Sequence, residues 1–391
     1  MKSGSQRGDI DAFIVMDVMR AAHEREASGA DVFHLEVGQP GTPAPAAARA
    51  AARVALESDL IGYTDALGRP SLRARIARHY ADWYGLDIPA ERIAVTTGSS
   101  AGFVLAFLAS FDTGARLALP APGYPCYRHI AKALGLEPVI LETDVQTRWM
   151  PIPEMLAKAG NGAGEETGDL DGLLLASPAN PTGTMLDDDR LAALARHCAT
   201  HNIRFISDEI YHGLTYDRAA ATALAHNDDA IIINSFSKYF SMTGWRIGWM
   251  VLPENLLRPV ERLMQNFFIS APTLSQIAAE AAFDGQEELE AHKSVYARNR
   301  AQMLAMLPAM GLETIIPPDG AFYVYADVSH LTDDANAFAQ RLLTEAGVAT
   351  APGNDFDATR GARFLRLSYA RSEPHVRAGL ERMGDWLSGQ K

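Results

Sequence analysis

Ile231-Ile232-Ile233-Asn234-Ser235-Phe236-Ser237-Lys238-Tyr239-Phe240-Ser241-Met242-Thr243-Gly244-Trp245-Arg246-Ile247-Gly248-Trp249 is the stretch on which the reading of this chain turns. The apolar run Ile231 to Ile233 reads as a buried strand. Lys238 then falls in a loop at the strand's end, where a rigid sheet can aim it into a cleft. A lysine amine can lose its proton and attack a carbonyl to form a Schiff base. Arg246 keeps its charge, and its planar fork suits a phosphate. One nucleophilic amine and one fixed phosphate clamp lie eight residues apart.

Outward from this stretch, short apolar strands read at 93–97, 117–119, 172–176, 203–207 and 231–235. Helical patterns at 101–110, 127–134 and 187–200 lie between them. This alternation predicts the α/β class, a mostly parallel sheet sandwiched by helices. Three helices in succession, 253–268, 274–283 and 287–307, are followed by strands at 313–316, 322–327, 348–351 and 364–368. With helices at 335–346 and 374–387, these predict a smaller α+β domain. The expected division is an N-terminal arm and part of the small domain over 1–45, a large domain over 46–285 and a small domain over 286–391. The arm carries a helix over 10–27, marked by Phe13, Ile14, Met16 and Met19. The glycine-rich patch 160–166 lacks the spacing of a dinucleotide loop and reads as a surface loop.

Composition closes off several functions. A net charge of −13 at pH 7 argues against a nucleic-acid partner. Cys126 and Cys198 are too few for a disulfide framework and form no metal-binding pair, so no metal is expected. Asp9, Asp11 and Asp17 interrupt any apolar core of a signal peptide. No apolar stretch reaches the roughly 20 residues of a membrane helix. A soluble, cytoplasmic protein is expected.

Six further clusters carry groups that chemistry could use. Gly98-Ser99-Ser100-Ala101 joins a strand to a helix, which suits a phosphate or a plain N-cap. Pro122-Gly123-Tyr124-Pro125 offers an aromatic ring that could equally pack in the core. Asn180-Pro181-Thr182-Gly183 is a turn in its own right. Asp208-Glu209-Ile210-Tyr211 follows a strand, where an acid can cap a helix or hold a protonated ring nitrogen. Gly62-Tyr63-Thr64-Asp65 lies in a loop. Arg363-Phe364-Leu365-Arg366-Leu367-Ser368 alternates as a strand and carries a fork that fits a carboxylate.

The lysine run closely resembles the lysine motif of the class I/II (fold type I) pyridoxal-phosphate-dependent aminotransferases. The resemblance extends from the Gly38 loop to Arg366, with seven motifs in the same order. It implies pyridoxal 5'-phosphate bound as a Schiff base on Lys238. Ser99, Ser100, Ser235 and Arg246 would hold its phosphate, with Ser237 beside them. Asp208 would face the ring nitrogen, Asn180 and Tyr211 the phenolic oxygen, and Tyr124 the outer face of the ring. Glu209 would be structural. Tyr63 would reach the phosphate of the neighbouring subunit in a homodimer. Arg366 would grip the substrate α-carboxylate, with Gly38 and Asn180 beside it.

The expected activity moves the amino group of an L-amino acid to a 2-oxo acid. The Lys238 amine would serve as general acid/base, its pKa depressed by burial and nearby cations. A lyase performing β-elimination on the same scaffold is the alternative. A non-catalytic sensor is more remote, because too few residues precede Gly38 for a DNA-binding domain. A dicarboxylate donor would need a second cation at the side-chain pocket, for which Arg20 and Arg128 are candidates.

Overall fold

Five parallel strands form the centre of the computed structural model, which describes residues 4–58, 60–161, 169–313 and 315–389. They run in the order Ile231–Ser235, Arg204–Asp208, Gly172–Ala176, Arg116–Ala121 and Glu137–Glu142. Gly248–Val251 adds antiparallel to the first of these, and Ile93–Thr96 pairs antiparallel with it in turn, completing seven strands.

Strand periodicity explains the layers. Ile231 and Ile233 pack with Leu174, Ile206 and Met250 on one face. Ile232 packs with Leu173, Leu175, Phe205 and Trp249 on the other. Both faces are apolar, so both need helices. Helices Ser99–Ser110 and Glu254–Phe267 cover the first face. Each fully buried Ile or Leu contributes roughly 1.5–3 kcal/mol by leaving water. The parallel strands therefore hold their ends at fixed positions, and Asp208, Asn180, Tyr124 and Lys238 all sit at or just past carboxyl ends.

A three-stranded antiparallel sheet follows, with Phe364–Ser368 between Ala351–Pro352 and Tyr323–Asp327. Phe33–His34 pairs in parallel with Val348–Ala349. The N-terminal arm is thereby stitched to the later part of the chain. The α/β class with a smaller antiparallel sheet stands as expected. We propose the divisions near residues 45 and 285 as the boundaries of its folding units.

Several elements differ from the sequence pattern. The expected strand over 313–316 is reduced to a single bridge, Ile315 to Ala326. Pro317 and Pro318 follow it and cannot donate to a ladder. The strand expected over 348–351 is two short strands in different sheets. Edge strand Glu137–Glu142 was not expected, because its apolar run is only Val139-Ile140-Leu141, flanked by Glu137, Pro138 and Glu142. Of the glycine-rich patch, Gly160 and Asn161 close helix Pro153–Asn161, and 162–166 lie outside the described residues.

The arm helix is Ile14–Ala27, four residues shorter than expected at its start. Its N-cap position is Phe13, whose side chain caps nothing. Asp355 supplies the cap from far along the chain. Its Oδ1 accepts from the Ile14 N–H at 3.2 Å and its Oδ2 from the Val15 N–H at 3.0 Å. Asp355→Ala should cost about 1 kcal/mol, as loss of an N-cap does, and raise exchange of those two amides about 5-fold. Hydrogen-exchange mass spectrometry of peptides covering 13–18 checks this. Unchanged protection would show that the cap does not hold the arm.

Candidate active site

The carboxyl ends of the central strands and the Phe364–Ser368 strand enclose a cavity of about 190 Å³. A larger hollow of about 600 Å³ near Ser110 and Asn202 has no lysine on its wall. The strand-end cavity is walled by Gly38, Ser99, Ser100, Tyr124, Asn180, Asp208, Tyr211, Ser237, Lys238, Arg246 and Arg366. Of the site residues expected from sequence, only Ser235 and Tyr63 lie off its wall.

Lys238 follows strand Ile231–Ser235, and its Nζ donates to the Gly38 carbonyl at 2.6 Å. Gly38 can sit there because it lacks a Cβ, which would overlap the Tyr323 hydroxyl. Burial lowers the Lys238 pKa to about 8, aided by the Arg366 guanidinium and, less, by Arg246, against the pull of Asp208. Asp208 ends its own strand, and burial lifts its carboxyl to about 6. Tyr127 donates its hydroxyl to Asp208 Oδ2, and the Ile210 N–H donates to Oδ1 at 3.1 Å. Both bonds favour the charged form.

Arg366 is 2% exposed on the middle strand of the small sheet. Its Nη1 donates to Asn180 Oδ1 at 2.9 Å and its Nη2 to the Glu36 carbonyl. The guanidinium lies between the rings of Tyr323 and Phe356, at 4.5 and 4.7 Å. Its Nε has no partner among the described residues. A buried fork with an unused donor is poised for an anion.

The opposite end of the cavity is cationic. Helix Ser99–Ser110 begins here after Gly98, at φ +78°. Arg246 occupies a left-handed backbone position and lies against Gly98 so closely that a Cβ there would collide with Nη2. A helix N-terminus beside a guanidinium is an anion site. Ser237 reaches the wall, whereas Ser235 lies behind it and donates to Ser237 Oγ at 2.9 Å. Tyr211 lines the wall and shares a 2.8 Å hydroxyl bond with Tyr323. Tyr124 packs edge-on against Tyr127 and Phe13.

Glu209 points away from the cavity. It accepts from Ser207 Oγ, Thr222 Oγ and the Ala223 N–H, and so pins a loop. Tyr63 is 83% exposed outside the cavity. Arg20 is exposed and paired with Asp17. Arg128 donates to the Asp355 carbonyl and lines a neighbouring hollow instead.

Tyr127, Tyr323 and the arm residues Phe13, Val15 and Met16 also line the wall, with Val37, Phe103, Ile210 and Thr243, and none was expected there from sequence. Tyr127 lies one helical turn after Tyr124, the only local signal it gives. The donor set fits pyridoxal 5'-phosphate. An amine near neutrality awaits an aldehyde, an anion site awaits a phosphate, and a buried carboxylate without full compensation awaits a cationic ring nitrogen.

Comparison with known proteins points the same way. Residues 30–383 match the family model for aminotransferase class I and II. The chain is 47% identical to a valine–pyruvate aminotransferase of Mycobacterium tuberculosis, over 98% of each chain. It is 33% identical to a (5-formylfuran-3-yl)methyl phosphate transaminase of Methanocaldococcus jannaschii, over 97% of this chain and 98% of that one. Among solved structures, an aminotransferase from Mycobacterium tuberculosis superposes with TM-score 0.95 at 45% identity, over all of both chains. The aspartate aminotransferase of Thermus thermophilus with maleate gives 0.91 at 32% identity, over 98% of this chain and 100% of that one.

The cation cluster makes a direct prediction. In protein freed of cofactor, acetylation of Lys238 by acetic anhydride should rise with pH through a midpoint near 8. Arg366→Gln removes a like charge, so the ammonium is less disfavoured and the midpoint moves upward. Peptide mass spectrometry across a pH series reads both. A wild-type midpoint at the ordinary lysine value would refute the arrangement.

Proposed function

As the chain belongs to the class I and II aminotransferases, which depend on pyridoxal 5'-phosphate, we propose that its amino donor is an L-amino acid with a small apolar side chain. The acceptor would be a short 2-oxo acid of the pyruvate kind. One observation carries this choice. Lys238, Arg246 and Arg366 are the cations on the cavity wall, and each has another task. The wall that remains is largely Phe13, Val15, Met16, Val37 and Ile210. A side-chain carboxylate would enter there without a partner from this chain's own described residues, and burying it unpaired is penalised heavily. The valine–pyruvate specificity in the name of the Mycobacterium tuberculosis relative supports the same class.

Pyridoxal 5'-phosphate supplies an aldehyde for the lysine amine and an electron-withdrawing ring that acidifies a substrate α-carbon. Ser99, Ser100, Ser237 and Arg246 would hold its phosphate, with Ser235 fixing the Ser237 hydroxyl from behind. Asp208 would hold the ring nitrogen, Asn180 and Tyr211 the phenolic oxygen, and Tyr124 one ring face. Arg366 would take the substrate α-carboxylate on its fork, and Gly38 and Asn180 would border it.

Lys238 would take a proton from the substrate α-carbon and return one. With a pKa near 8, roughly one amine in ten is free at pH 7. At the ordinary lysine value it would be about 3 in 10,000. Burial therefore gives the residue both a usable base and a usable acid near neutrality.

We further propose a homodimer in which Tyr63 reaches the neighbouring site. Its exposure, beside Leu60 at 96% and Ile61 at 42%, supports a covered loop. A cytoplasmic location is supported by two free cysteines. No helix among the described residues is long and apolar enough to cross a membrane.

Amino donors scanned against pyruvate test the proposal. Valine should exceed aspartate in kcat/KM by about 100-fold or more. Equal or better use of aspartate would refute the apolar pocket. Lys238→Arg keeps the charge but cannot form the imine or exchange the proton, so turnover should fall by at least about 10⁴-fold. Full turnover in that variant would overturn the role of Lys238.

A further inference from the structure

His23, Glu26 and His34 meet outside the cavity, where helix Ile14–Ala27 passes strand Phe33–His34. Their ligating atoms all lie within 4.8 Å of one another. His23 and Glu26 are three residues apart on one exposed helix face, so they are neighbours. His34 is buried. Its Nε2 lies 3.1 Å from Glu26 Oε1. Two ligands about 2.0–2.1 Å from a tetrahedral ion are separated by roughly that distance.

The other side of the His34 ring is equally specific. Nδ1 lies 2.8 Å from Glu36 Oε1. Glu36 is fully buried, and its Oε2 has no partner among the described residues. His375 is already engaged, since its Nε2 accepts from the His34 main-chain N–H at 3.0 Å.

Two chemistries satisfy these contacts. In the first, His34 is an imidazolium donating to both carboxylates. One positive charge then answers two negative ones, and one of those is fully buried. In the second, His34 Nδ1–H donates to Glu36 and the Nε2 lone pair faces a metal ion. That is how a buried carboxylate fixes the tautomer and direction of a coordinating histidine. A divalent ion would then balance both carboxylates.

We propose that His23, Glu26 and His34 form a Zn²⁺ site, with Glu36 as the carboxylate that orients His34. Two imidazoles and one carboxylate suit zinc, and exposure of His23 and Glu26 leaves a fourth position for water. On binding, Zn²⁺ takes the Nε2 lone pair and the displaced proton leaves to solvent, with no change of oxidation state. The ion would tie the arm helix to the strand that pairs with Val348–Ala349. Glu36 also links this cluster to the cavity, because its carbonyl accepts from Arg366 Nη2.

Equilibrium dialysis of the metal-stripped holoenzyme against Zn²⁺ alone tests the site, with bound metal counted by atomic absorption. One ion per chain is expected at micromolar zinc. His23→Ala and Glu26→Gln should each weaken binding at least about 10-fold, as loss of a ligand-shell group does. Both side chains are exposed, so the variants should fold, and unchanged circular dichroism and melting without metal verify this. Replacing Zn²⁺ with Co²⁺ should give tetrahedral visible bands in the wild type that the double variant lacks. Equal zinc retention by wild type and double variant, or no retention by either, overturns the site and leaves the doubly bonded imidazolium.

Discussion

Four charged groups line one cavity, Asp208 and Arg366 buried, Lys238 partly so and Arg246 at the exposed rim, and the structure around it is arranged to keep them there. Lys238, Arg366 and Arg246 bring positive charge and Asp208 brings negative. Ions out of water are expensive unless paired and hydrogen-bonded. Here each is held by a neutral partner as well: the Gly38 carbonyl for the amine, Asn180 and the Glu36 carbonyl for Arg366, the Thr243 carbonyl for Arg246, and Tyr127 for Asp208. Burial first, and the nearby Arg366 guanidinium second, appear as a lysine pKa near 8, the range that suits a general acid/base near neutrality.

The sheet makes this possible. Parallel strands buried on both faces are rigid, and they deliver Asp208 and Lys238 from neighbouring ends. Arg366 comes from a different sheet and reaches the same cavity across the Tyr323 and Phe356 rings. The arm closes a third side, with Phe13, Val15 and Met16 anchored by Asp355. The cavity wall therefore draws on segments more than 300 residues apart, while Lys238 and Asp208 stay on one scaffold.

The gathering of charged residues at one cavity was legible in the sequence because covalent and phosphate chemistry admit few residue types. Lys238, Arg246, Asp208 and Arg366 each stand in a local motif, and all four reach the cavity. Long-range partners gave no such signal. Tyr127 meets Asp208 across 81 positions, and Tyr211 meets Tyr323 across 112. Ser235 ends its strand behind the wall, and the turn that follows, no longer bound by strand alternation, carries Ser237 to the cavity. Edge strand Glu137–Glu142 was hidden because its apolar run is only three residues long, closed by Pro138 before it and Glu142 after it. The arm read as an amphipathic helix, but nothing in its spacing said that its first apolar residues line a site.

Reductive trapping tests the central claim most directly. The holoenzyme is treated with borohydride, digested, and the peptide that carries the pyridoxyl mass is sequenced. The account requires that mass on Lys238, in the peptide that also spans Ser235 to Tyr239. A label on another lysine, or a holoenzyme whose cofactor washes away after reduction, would contradict it.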